Sequence, residues 1–466
     1  MSRVEAARLP QDPTLPQLAQ ALDPGRMAEV FTGLLSGRDV QLRACRVDRV
    51  KYRAHRNLSV AYLLDLRDGQ GTYTQAVAAR FCAAGDAARR HAQARARQLR
   101  ATRPGPALSL DAGLEMVAHW WPNDAKLAAA AVLADADVLQ RRWLPEVARA
   151  LGAGPCHGHR LEIAQCVPEH RVTARVHLHT SGEGGRTDAR PQTHTVYAKS
   201  DAETRGPVTQ AVMHSLWCSA ARLDGRLSVP RALLWQAGSG LQWQVAVPGC
   251  ALLDAWPMPD DPRAAAVGRL LSALHQTPAP AAPMMTLTGL RQRLQETTQL
   301  LGAVQPAQQA RLGRVAAMLA TGLAHITSGV QKCCILHGDL HPRNVLCDGE
   351  RLSLIDLDSA RRGPALLELG SWLADALYRA QLDGHAHAAV EAAGQAFLRG
   401  YEQAGGQAFA PRPIAWATAW QLWCQRMWRC VVNLKPGRYA LLPGLLTLTE
   451  TLLARHEQPA LQDVGA

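Results

Sequence analysis

The chain has 466 residues, 47% hydrophobic and 19% charged, with 51 Lys plus Arg against 39 Asp plus Glu and a net charge of +12. That length exceeds one ordinary core, so two or three domains are expected, and the composition excludes a disordered or fibrous chain. No apolar run nears the roughly 18 residues of a membrane span, and the opening MSRVEAARLPQDPTLPQLAQ holds no apolar signal-peptide core. Eleven cysteines, with no CxxC pair, fit the reducing cytoplasm better than a disulfide framework. Residues 1 to about 40 read as a helical lead-in. From 42 the texture is β, with RVDRVKYRAHRNLSVAYLLDLRDGQGTYTQAVAARFC alternating apolar and polar residues around a turn at Asp68-Gly69.

AARRHAQARARQLRATRP then reads as a basic helix over 88–103, ended by Pro104. Its Arg89, Arg90, Arg95, Arg97, Arg100 and Arg103 are expected to lack acidic partners. No aromatic residue interleaves with them, so the run is a solvated face, and nucleic acid as a partner is argued against. In PCHGHRLE, Cys156, His157 and His159 resemble metal ligands. No second pair stands at zinc spacing, so they are assigned to a loop.

A second β passage spans RLEIAQCVPEHRVTARVHLHTSGEGGRTDARPQTHTVYAKSDAET and overlays on the first. His55-Arg56 falls on His170-Arg171, LSVAYLL on VTARVHL, and AVAARF on TVYAKS. The overlay predicts an internal duplication of a small β-lobe. It sets Lys199 against Arg80 in a chain whose lysines stand only at 51, 126, 199, 332 and 435. Lysine is a compact charge and arginine a planar fork, so the two are not exchangeable at a phosphate.

LQWQVAVPGCALLDAW ends a strand at Pro248-Gly249, and helical periodicity follows, first in PRAAAVGRLLSALHQ and then over 286 to 327. The strand CCIL leads into HGDLHPRN, and VLCDGERLSLID reads as a hairpin turning at Asp348-Gly349. Residues 365 to 457 are helical, with Trp416, Trp420, Trp423 and Trp428 read as core. Asp339 and Asn344 reproduce the D-x-x-x-x-N spacing of a kinase catalytic loop, and Asp356 closes the hairpin. A carboxylate can orient an alcohol and take its proton. A second carboxylate and an amide oxygen are hard ligands suited to Mg²⁺.

These segments resemble the aminoglycoside phosphotransferase and choline kinase group of small-molecule kinases, which share the protein-kinase architecture. The matching pieces are LLSALH, HGDLHPRNVL, LIDLD and GPALLELGSWLA, the last with Glu368 where the group usually has Asp. The likeness is strong over about 245 to 380 and looser over 155 to 245. The extra β-rich segment before 150 is similar in arrangement to bacterial maltokinases.

The resemblance implies an α+β, protein-kinase-like fold of two lobes behind a β-rich cap. The expected divisions are a cap over 1–150, a nucleotide-binding lobe over 151–248 and a helical catalytic lobe over 249–466. It implies ATP and Mg²⁺ as cofactors, Asp339 as catalytic base, Asn344 and Asp356 as metal ligands, and Lys199 as the phosphate-binding lysine. His170 and Arg171, in the glycine-free turn VPEHR, would contact phosphate by charge, and His337 would be structural. The group's lysine normally pairs with a helix Glu, yet only Asp201 and Glu203 lie between Lys199 and Leu223.

Residues 381–466 hold six acids and seven Lys or Arg, so no clustered negative charge awaits a polycation. The expected activity is therefore phosphorylation of a small-molecule hydroxyl, on a neutral sugar or glycoside. The alternative is a non-catalytic, kinase-shaped protein holding an acidic partner.

Overall fold

Strands turn successive side chains to opposite faces, and the alternation in the sequence yields two five-stranded antiparallel sheets. The computed structural model describes residues 9–181, 192–201, 205–255, 262–328, 333–435 and 437–457. Its contacts divide into two units. One comprises the chain up to Gln210 with Arg231–Ala246 and Val432–Pro436. The other comprises Ala211–Pro230, Val247–Val431 and Gly437 onward.

The first sheet is built from β1 (Gln41–Arg53), β2 (Asn57–Asp68), β3 (Gly71–Cys82), β4 (Leu108–Asp111) and β5 (Met116–Trp120), in the order β1-β2-β3-β5-β4. Leu58, Val60, Tyr62, Leu64, Phe81 and Trp120 lie on its buried face. Helix α1 (Pro24–Leu34) starts at a proline and is capped by the Asp23 carboxylate, which accepts the Gly25 N–H at 2.9 Å. It sets Phe31 edge-on to Tyr62 and Trp120, with centroids 5.2 and 5.9 Å apart. Helix α2 (Asp86–Arg95) follows β3.

The second sheet repeats this plan. It contains β6 (Cys156–Val167), β7 (Arg171–Thr180), β8 (Gln192–Asp201), β9 (Ala232–Gln236) and β10 (Leu241–Val245), in the order β6-β7-β8-β10-β9. Val172, Ala174, Val176, Ala198 and Trp243 share a buried cluster with Leu139 and with Leu144 and Val147 of α3 (Leu144–Leu151). Helix α4 (Gly206–Trp217) follows its third strand, as α2 follows β3.

The ladders settle the correspondence between the copies. Ser59 pairs with Arg80, which pairs with Val117; Thr173 pairs with Lys199, which pairs with Gln242. Arg80 and Lys199 are thus equivalent, as the overlay expected. The preceding turns correct it by one residue. Arg53 pairs with Asn57 and Val167 with Arg171, and the residues in left-handed conformation are His55 (φ 56°) and Glu169 (φ 57°). His55 therefore corresponds to Glu169. The shared His-Arg letters misled because hydrogen-bond register, not residue identity, aligns strands.

Two further expectations change. The basic helix stops at Arg95 instead of running over 88–103, and four of its six arginines are paired. Arg89 and Arg90 meet Asp86, one helical turn earlier, while Arg100 meets Asp135 and Arg103 meets Asp68 across the fold. Cys156, His157 and His159 lie in β6, not a loop, and His159 Nδ1 is 2.7 Å from Gln140 Oε1.

After Ala211–Pro230, the second unit continues with β11 (Cys250–Ala251) and helices α5 (Pro262–His275), α6 (Leu287–Val304) and α7 (Gln309–Ser328). Short strands β12 (Cys333–Leu336), β13 (Val345–Asp348), β14 (Arg351–Leu354) and β15 (Arg361–Pro364) follow. Helices α8 (Ala365–Asp383), α9 (His387–Gln403) and α10 (Pro411–Gln421), a π-helical turn over Leu422–Met427, α11 (Trp428–Asn433) and α12 (Leu442–Glu457) complete it. Sheets dominate one unit and helices the other, the α+β class expected. Trp416, Trp420 and Trp423 are buried core; Trp428 is only partly covered. Among the described residues no helix is long and apolar enough to cross a membrane.

Candidate active site

The loop after β12 is held by its own backbone geometry and by one buried carboxylate. Gly338 has φ 80°, and a Cβ there would lie 2.1 Å from the Ser359 carbonyl, so only glycine fits. Glu368, in the first turn of α8 and 3% exposed, accepts the N–H groups of His337 and Gly338, each at 2.7 Å. His275 at the end of α5 approaches the same carboxylate at 3.1 Å and the Tyr401 hydroxyl at 2.9 Å. Burial raises the Glu368 pKa, but the His275 hydrogen bond, nearby His charge and the Gly338 N–H hold it below the ordinary value. Glutamate in place of aspartate is thus the anchor of the loop.

His337 is fully buried, and its Nε2 lies 2.8 Å from the Ile355 carbonyl. A carbonyl only accepts, so Nε2 carries the proton and Nδ1 is left to accept. The ring ties the loop to the hairpin, a structural role as expected. The hairpin β13–β14 pairs Val345 with Leu354, and the Ile355 N–H donates to the Asn344 carbonyl at 2.9 Å. Asp356, next in sequence, is thereby set beside Asn344. The buried Asn344 side chain donates through Nδ2 to the Asp339 carbonyl at 3.0 Å, which leaves Oδ1 as an acceptor. Asp356 holds φ 62° and ψ 55°, a left-handed conformation costing about 1–3 kcal/mol in a residue other than glycine. Such strain collects at functional positions. The loop and hairpin bring the Asp339, Asn344 and Asp356 segments together.

Asp339, 23% exposed, has neighbours the sequence did not announce. Arg429 Nη2 donates to its Oδ1 at 2.7 Å, and His341 Nε2 lies 3.7 Å from Oδ2, an ion-pair distance. Burial raises its pKa, yet His341, Arg429 and Arg426 outweigh burial and hold the carboxyl well below its usual range. Both arginines come from the π-helical turn and the start of α11. Arg293 on α6 steadies that stretch, donating through Nε and Nη2 to the Cys424 carbonyl at 3.1 and 2.6 Å, with its guanidinium 4.1 Å over the Trp428 ring. Ninety residues separate Arg429 from Asp339. No local spacing could have paired them, and these arginines entered the sequence reading only as bulk charge.

The other expected site residues lie in the β-rich unit. Lys199 is half-buried near the end of β8, its neighbours Val196 and Ala198 facing the core on the opposite side. Arg171 begins β7, and His170 closes the turn before it. The intervening residue is the surprise. The Glu169 carboxylate receives Arg80 Nη1 at 2.7 and 2.5 Å, and its N–H donates to Asp124 Oδ2 at 3.0 Å. Helix α4, GPVTQAVMHSLW, carries no acid; Glu203 lies outside the described residues.

Residues 210–414 match the model of the phosphotransferase enzyme family, APH. No curated protein matches the chain by sequence. Among solved structures it is similar to a choline/ethanolamine kinase family protein from Mesorhizobium loti, at 17% identity over 59% of this chain and 87% of that one, TM-score 0.41. It is also similar to aminoglycoside phosphotransferase APH(4)-Ia in a ternary complex with ADP and hygromycin B, at 14% identity over 64% and 95%, TM-score 0.41. Spectinomycin phosphotransferase APH(9)-Ia with ADP and spectinomycin matches at 11% identity over 66% and 97%, TM-score 0.42. The Asp339 loop, its hairpin and the Glu368 anchor all lie inside the stretch that matches the phosphotransferase enzyme family model, which covers somewhat less than half of the chain.

Proposed function

We propose that this protein transfers the terminal phosphoryl group of ATP, with Mg²⁺, to a hydroxyl of a small molecule. The observation that supports the reading is the loop-and-hairpin backbone, in which the Asn344 amide donates to the Asp339 carbonyl and the Ile355 N–H donates to the Asn344 carbonyl, with Asp356 next in sequence. Asn344 and Asp356 supply the hard oxygen ligands that suit Mg²⁺, which when bound neutralises phosphate charge. Asp339 orients the acceptor hydroxyl. It takes the proton of that hydroxyl as the new O–P bond forms and the bond to the ADP oxygen breaks.

Lys199, His170 and Arg171 are the proposed contacts to nucleotide phosphates. The first sheet serves as a cap (1–150), the second as the nucleotide lobe (151–248), and 249–466 as the catalytic lobe of a kinase-like fold. The arginines at Asp339 and the even charge of 381–466, of which Asp463 lies outside the described residues, argue against a polycationic acceptor and support a neutral sugar or glycoside. Eleven unpaired cysteines support a reducing compartment such as the cytoplasm.

Phosphate transfer from ATP across sugars, amino alcohols and aminoglycosides tests the activity, with Asp339→Asn as control. The variant should keep its fold and lose roughly 100-fold or more in turnover. Near wild-type turnover would remove Asp339 from the mechanism. The acid-free α4 favours a second reading, a kinase-shaped binding protein. Nucleotide binding without transfer to any acceptor is the result that would select it.

A further inference from the structure

Arg426 lies near Asp339 and is only 5% exposed. Its Nη1 is 2.9 Å from Asp375 Oδ1, while Arg379 Nε donates to the other oxygen of that carboxylate at 2.6 Å. The Nε and Nη2 groups of Arg426 are buried and have no partner among the described residues. Those two N–H groups share one edge of the guanidinium, the side-on fork that matches the two oxygens of a carboxylate. A buried donor pair left unmade is costly, so a fork kept at this depth points to a ligand.

The surrounding charge narrows the ligand. Asp339 and Asp375 face Arg379, Arg426 and Arg429, two anions against three cations, and His341 adds no negative charge. A cationic acceptor is repelled there, whereas one carboxylate brings the balance to zero. Arg429, 34% exposed, joins this group to Asp339, the residue that orients the hydroxyl.

We propose that Arg426, with Arg429, is the specificity site for the acceptor and that it takes a carboxylate, so that the substrate is a hydroxy acid of the sugar-acid type. This rests on the phosphotransfer reading and replaces its neutral sugar with an acidic one.

Glucose, glucuronate and glucosamine place three charges on one skeleton, and glycerol with glycerate gives a smaller pair. Each is titrated calorimetrically with Mg²⁺ and a non-hydrolysable ATP analogue and assayed for phosphorylation, using wild type and Arg426→Lys. The acids should be favoured about tenfold or more over their neutral partners, and the amine should be last. In Arg426→Lys, which keeps the charge but loses the fork, that preference should fall to about twofold while nucleotide affinity and melting temperature hold. If that variant does not fold, Arg429→Gln reads the same preference, which should drop at least about threefold. Preference for the neutral or amino form, an acid preference unchanged in both variants, or no saturable acid binding by the wild type overturns the proposal. Transfer to neutral sugars alone removes this site and leaves the phosphotransfer reading intact. Acid binding that is lost in Arg426→Lys, with no transfer to any acceptor, leaves the site and removes the phosphotransfer reading.

Discussion

The two sheets of the β-rich unit have the same strand order, the same position for a following helix and the same ladder partners for Arg80 and Lys199. They differ in what the third strand's cation meets. Arg80 grips both oxygens of Glu169, and both side chains are 16% exposed, so its charge is consumed within the fold. Glu169 belongs to the turn of the second sheet where phosphate is expected. It stands at φ 57°, where glycine would be free of strain, and Lys126 lies 3.6 Å from its carboxylate. A left-handed residue other than glycine costs about 1–2 kcal/mol. A well-covered ion pair with two N–H···O bonds offsets that cost, where an exposed pair contributing about 0–1 kcal/mol would not. The comparison teaches that one scaffold position can hold an arginine clamp in one copy and, in the other, the lysine proposed above for phosphate. Arginine suits the clamp because one Nη1 carries two N–H groups and reaches both carboxylate oxygens.

The strongest way to break this contrast is Lys199→Met. It should cut kcat/KM for ATP by roughly 100-fold or more, as loss of a charged phosphate contact does. Steady-state kinetics with the preferred acceptor checks it, and an effect under about fivefold would erase the difference between the copies.

Arg80→Met should do the reverse. It leaves the Glu169 carboxylate covered with only Lys126 close by, at 3.6 Å, so denaturant unfolding should show a loss of roughly 1–3 kcal/mol. Turnover at saturating ATP should stay within about threefold of wild type. A loss of activity as large as that of Lys199→Met, at unchanged stability, would mean that Arg80 itself serves the nucleotide.

Glu169→Gln sharpens the comparison by keeping the shape of the turn and removing its charge. A loss of about 1 kcal/mol is expected, with most of the Arg80→Met effect absent in the double variant, because contacting residues couple. Additive losses would show that the pair contributes no energy of its own.

The smallest effect is in pH. Burial raises the Glu169 pKa, but Arg80 and Lys126 more than offset this, so the folded value lies below the ordinary 4.5. A carboxyl depressed on folding stabilises fully above its unfolded pKa and loses that contribution as pH falls through the folded one. Wild type and Glu169→Gln should therefore converge in stability below pH 4.5 and separate above it. A constant difference from pH 3 to 7 would contradict the clamp.

Much of this was legible in the chain itself. Alternation over 42–82 and from 160 onward marked the strands, the D-x-x-x-x-N spacing marked the loop, and the Asp348-Gly349 turn marked the hairpin that brings Asp356 beside Asn344. These features rest on neighbours within about a dozen residues, where backbone preference and side-chain period act directly. Fixed spacing along a strand also aligned Arg80 with Lys199, although the turn before them was misplaced by one residue because letters do not record hydrogen-bond register.

Only the tertiary structure decided which charges meet. Arg80 finds Glu169 across 89 positions, Arg429 finds Asp339 across 90, and Arg426 finds Asp375 from another helix. The basic run after α2 found Asp135 and Asp68 by the same means. Sequence determines local conformation through short-range sterics and periodicity. The partner of a long, flexible arginine is set by where the packed core delivers a distant carboxylate, and no spacing rule carries that information.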